Sequence, residues 1–76
     1  MCKFEAGDGV RGTEKLVGHT STREECAALV RRLEPSANGA TWTTYSTYLN
    51  KNECFAKFGV KGVGEDTAWK TCIFGR

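Results

Sequence analysis

Four cysteines, at positions 2, 26, 54 and 72 of 76 residues, constrain what this chain can fold into more than any other feature. A domain this small buries too little surface to be held by apolar contacts alone, and the supply is thin, with four leucines and one isoleucine. An even cysteine count in such a chain reads as two disulfides, and therefore as a protein of an oxidising compartment, secreted or extracellular. Four cysteines permit three pairings. Chain ends of a compact domain tend to lie close together, which favours Cys2–Cys72 and leaves Cys26 for Cys54. Closing loops of about 70 and about 28 residues, the two bridges would each contribute roughly 3 to 5 kcal/mol.

Residues 21–33 (STREECAALVRRL) carry the strongest periodic signal. Cys26, Leu29, Val30 and Leu33 recur at the spacing of one buried helical face. Ser21 with Glu24, or Thr22 with Glu25, offers a capping box at the start, and Pro35 stops the helix. Cys26 lies within the apolar face, so the helix is expected to be tied covalently to whatever it covers.

Strands are expected at residues 2–4, 15–19, 40–45, 53–58 and 69–74. The run 40–45 (ATWTTY) is rich in β-branched and aromatic residues, and Cys54, Ala56 and Phe58 share one face of the next run. A hairpin with an exposed polar tip joins these two. Glycines 7, 9 and 12 allow tight reversals, and residues 59–66 (GVKGVGED) read as a surface loop. The order β, β, α, then three β is an α+β pattern, a single helix covering one face of a mostly antiparallel sheet, in one domain spanning residues 1–76.

Eleven basic and nine acidic residues give a net charge of +2, spread along the chain, whereas a nucleic-acid binder concentrates a basic face. No stretch is long and apolar enough to span a membrane, no secretory signal precedes residue 2, and no Asn-x-Ser/Thr acceptor is present. An exported form would thus be a mature protein or an excised domain, with Gly75-Arg76 marking a cut or an amidation signal. The cysteines stand 24, 28 and 18 residues apart with no close pair, unlike a structural zinc site. His19 is the sole histidine and each cysteine has a bridging role, so neither a Cys/His hydrolase nor a cofactor is expected. The glycine-rich 59–66 lacks the Gly-Lys-Ser/Thr ending of a phosphate cradle. Arg31 and Arg32 read as a solvated pair on the helix face opposite Cys26 and Leu29, and Trp42 and Trp69 as core.

The best ligand candidates flank the hairpin tip. Tyr45 and Tyr48 can stack on the C–H faces of a sugar, Asn50 and Asn52 can hydrogen-bond its hydroxyls, and Lys51 can contact acidic groups or hydroxyls.

In this order along the chain, Glu-Glu-Cys-Ala (24–27), Gly-Ala-Thr-Trp (39–42), Glu-Cys-Phe-Ala (53–56) and Trp-Lys-Thr-Cys (69–72) resemble the PAN/apple domain family. The resemblance implies a helix cradled by a curved antiparallel sheet, one disulfide joining the termini and others pinning helix to sheet. Family members often carry a second helical cysteine, four residues after the first, bonded to the strand that follows. Val30 occupies that place here, residues 40–42 have no cysteine, and Val30 and Trp42 are expected to fill the space by packing. The function implied is non-enzymatic extracellular recognition or adhesion, with a glycan or an extracellular protein as partner. A self-assembling structural unit of a larger extracellular protein or filament is the alternative, and a secreted toxin or inhibitor-like miniprotein a weaker one.

Overall fold

The computed structural model describes residues 2–43 and 51–75. The one helix among the described residues, α1 (Arg23–Leu33), uses the second of the two capping boxes open to the sequence. Thr22 Oγ1 accepts from the Glu25 N–H, and Glu25 Oε1 accepts from the Thr22 N–H, each at 3.1 Å. Two donors that a helix start leaves free are thereby satisfied. At the other end Glu34 donates its N–H to the Val30 carbonyl at 2.8 Å, immediately before Pro35, whose missing N–H and ring forbid a further turn.

Among the described residues seven strands flank the helix in sequence: β1 (Glu5–Ala6), β2 (Gly9–Val10), β3 (Thr13–His19), β4 (Gly39–Thr43), β5 (Glu53–Phe58), β6 (Gly62–Val63) and β7 (Trp69–Ile73). Five of them form one antiparallel sheet in the order β1-β7-β4-β5-β3, and β2 pairs with β6 in a separate ribbon. The α+β architecture with a single helix on an antiparallel sheet is therefore as expected, as are both bridges, Cys2–Cys72 and Cys26–Cys54.

Several boundaries differ from expectation. Residues 2–4 form no strand; the ladder begins at Glu5, opposite Thr71, and the preceding segment is held by the Cys2–Cys72 bridge and by Phe4 packing on the core. The second expected strand starts two residues earlier, at Thr13, and the last ends at Ile73. Residues 59–66 are not simply a loop, because Val63 pairs with Gly9 and Gly62 with Val10. This pairing needs backbones too close for side chains. A Cβ on Gly7, whose φ is 134°, would lie 2.0 Å from the Gly64 carbonyl oxygen, and one on Gly12 would lie 2.1 Å from that of Phe58. Only glycine fits there.

The helix buries Cys26, Ala27 and Val30 against Ala40, Cys54, Ala56 and Cys72 of the sheet. The buried arc is turned toward Ala27, so Leu29 is only half-buried and Leu33, expected in the core, is 49% exposed. Alanines at 40 and 56 let the helix approach closely, and the Cys26–Cys54 bridge fixes which residues face inward. Strand side chains alternate between faces, and the opposite face buries Thr41, Thr43, Thr71 and Lys57. There Lys57, 5% exposed, lies within 3.3 Å of Asp8 and 2.5 Å of Glu14. Its aliphatic stem runs beneath Gly9, where a Cβ would come within 2.9 Å of Lys57 Cε.

Candidate functional site

Once the helix is seated on its 26/27/30 side, a second stripe is left on its flank. Glu25, Ala28, Leu29 and Arg32 fall at i, i+3, i+4 and i+7 and so lie along one line of the helix surface. Facing them is the link between β3 and the helix, His19, Thr20 and Ser21. Together the seven residues line an open groove of about 600 Å³, within the range of small-ligand sites. Its floor is the apolar surface of Ala28 and Leu29, and its walls carry hydroxyl, imidazole, carboxylate and guanidinium groups.

The wall opposite the helix is fixed through Thr20. Its N–H donates to the Asn52 carbonyl at 3.1 Å, its carbonyl accepts from the Trp42 indole N–H at 3.1 Å, and its hydroxyl donates to the Thr22 carbonyl at 2.8 Å. One residue thus ties the groove to β4, to the turn before β5 and to the helix cap. A site whose supporting atoms are already hydrogen-bonded loses less freedom when a ligand arrives.

The charged groups on and beside the helix differ in how they are used. Arg23 pairs with Glu24 at 3.2 Å, and Lys15 with Glu34 at 3.1 Å. Arg31 is exposed, as expected, and also lies over the Phe74 ring, 4.2 Å from its centroid, in a cation–π contact. Arg31 and Phe74, with Glu34, Pro35 and Ala37, line a smaller hollow of about 350 Å³. Glu25 Oε1 is engaged by Thr22 in the cap. Among the described residues Arg32 has neither an ion pair nor a hydrogen-bond partner, and its side chain is on the groove, beside Leu29 rather than opposite it.

Of the ligand candidates at the hairpin, Tyr45, Tyr48 and Asn50 lie outside the described residues. Lys51 is exposed in a turn, and Asn52 follows it with a φ of 59°, a left-handed conformation that asparagine tolerates better than most residues. Asn52 meets the groove wall through its carbonyl contact with Thr20. Trp42 packs against the core while its indole N–H braces Thr20, and Trp69 makes an edge contact with Phe55 at 5.7 Å between centroids on the face away from the helix. From the sequence His19 was weighed as a metal ligand and as a catalytic group, and the groove was missed; the 25/28/29/32 stripe was the signal that could have found it.

No group of three or more His, Cys, Asp or Glu among the described residues is placed to hold a metal ion, and no helix among them is long and apolar enough to cross a membrane. No family model, curated protein or solved structure matches the chain.

Proposed function

We propose that this chain is a PAN/apple-like extracellular recognition module that binds carbohydrate through the groove beside α1, together with Tyr45, Tyr48, Asn50, Lys51 and Asn52. The observation that carries this reading is the groove's construction: an apolar floor at Ala28 and Leu29, polar walls, and a rigid joint at Thr20 to the turn holding Lys51 and Asn52. Sugars present C–H faces and hydroxyls together, and a site with both kinds of surface in one place suits them. In this reading Tyr45 and Tyr48 stack on the ligand, Asn50 and Asn52 bond hydroxyls, and Lys51 reaches acidic groups.

The PAN/apple kinship is supported by the order of its motifs, by a bridge joining the termini, and by Val30. That residue, standing where PAN/apple domains often have a second helical cysteine, is fully buried, and Trp42 packs against the same core cluster. Self-assembly through sheet edges is the weaker reading. The long edge strand β3 carries Glu14 and Lys15 and a register break between Leu16 and Gly18, devices that discourage edge-to-edge pairing. A glycan array read at millimolar-range sensitivity tests the proposal. Binding to defined glycans is expected, and an array without hits overturns it.

A further inference from the structure

We infer that the groove takes a sugar acid, a pyranose bearing a carboxylate, with Arg32 holding the carboxylate and Leu29 lying under the ring. The inference rests on the carbohydrate reading above and narrows its ligand class.

Charge is its main support. The ion pairs of Arg23 with Glu24 and of Lys15 with Glu34, the cap bond of Glu25 and the seat of Arg31 on Phe74 leave Arg32 as the helix's one charged side chain without a partner among the described residues. A guanidinium presents a planar fork of donors that matches a carboxylate with two parallel hydrogen bonds. On the facing wall His19 supplies a further ring nitrogen, and Ser21 a hydroxyl, neither committed to a partner in the described structure. The opposing charge in the groove is Glu25, and the cap occupies its Oε1 through the Thr22 N–H at 3.1 Å and hydroxyl at 3.4 Å. Its second oxygen remains available to accept from a sugar hydroxyl. The groove therefore has a cationic end at Arg32, two turns of helix from a hydroxyl-accepting end at Glu25. A sugar acid carries the complementary groups at opposite ends of one ring.

The test is calorimetric or NMR titration of the intact, oxidised protein with methyl glucuronide and methyl glucoside, which share ring and hydroxyls and differ in the carboxylate. The acid is expected to bind about tenfold tighter, the order of one hydrogen bond to a charged group. Arg32→Ala should abolish that preference and Arg32→Lys should restore only part of it, because lysine lacks the fork. Glu25→Gln keeps the cap, since glutamine also serves in a capping box; it removes both the opposing charge and the free acceptor oxygen, so it should weaken the neutral sugar and widen the preference for the acid. Equal binding of both sugars, or a preference that survives Arg32→Ala, overturns the sugar-acid assignment and leaves the carbohydrate reading standing. No binding of either sugar, together with an array without hits, overturns both.

Discussion

The hydroxyls of Thr41 and Thr71 lie 2.8 Å apart, fully buried on the sheet face away from the helix. Thr71 also donates to the Gly7 carbonyl at 2.8 Å, and a hydroxyl has one proton to give. Thr41 must therefore be the donor to Thr71, and the order of donation runs from β4 through β7 to the segment after β1.

That order makes the two threonines unequal. Thr71→Val leaves both the Gly7 carbonyl and the Thr41 hydroxyl buried without this partner and should cost about 2 to 3 kcal/mol, whereas Thr41→Val removes one donor and should cost about 1 kcal/mol. Urea unfolding of both variants checks the ranking; equal losses would mean the chain of donation is wrong.

Replacing Lys57 should be milder than neutralising its partners. Lys57→Met substitutes an apolar chain of similar length and returns Asp8 and Glu14, each nearly half exposed, to water. The double substitution Asp8→Asn with Glu14→Gln instead leaves a buried ammonium without a counter-charge. It should cost about 2 to 3 kcal/mol, less than for a fully dry pair because both carboxylates reach solvent. Thermal denaturation at fixed pH ranks the two.

The rotation of the helix toward Ala27 can be read from two truncations. Val30→Ala opens a cavity at a fully buried position and should cost about 2 kcal/mol. Leu33→Ala, at a site 49% exposed, should change stability by about 0.5 kcal/mol or less. Comparable losses at both positions would restore the face that periodicity alone suggests.

The two disulfides should differ in their access to reductant. Cys26 and Cys54 are both fully buried, while Cys2 is partly exposed and only its partner Cys72 is buried. Mild reduction followed by alkylation and peptide mass mapping should label Cys2 and Cys72 first. Removing the inner bridge with Cys26→Ala and Cys54→Ala should cost about 2 to 5 kcal/mol, as is usual for small disulfide-dependent domains.

The sequence alone determined the helix, its stop at Pro35 and the strands around Trp42, Cys54 and Cys72, and it favoured one of three cysteine pairings, which the structure fixed. Those features rest on periodicity, turn chemistry and the nearness of chain ends, which act within short windows or through a simple closure constraint. Only the tertiary structure decided that Thr22 and not Ser21 caps the helix, and that two glycine-rich segments some fifty residues apart pair as β2 and β6. It also decided that Leu33 reaches solvent while Lys57 and three threonines do not. The groove belongs to the same class. Its seven residues were legible one by one, but the helix had to be turned by close packing on Ala40 and Ala56 before Leu29 and Arg32 came to face Thr20. Burial and long-range pairing depend on which distant surfaces meet, and no local pattern carries that information.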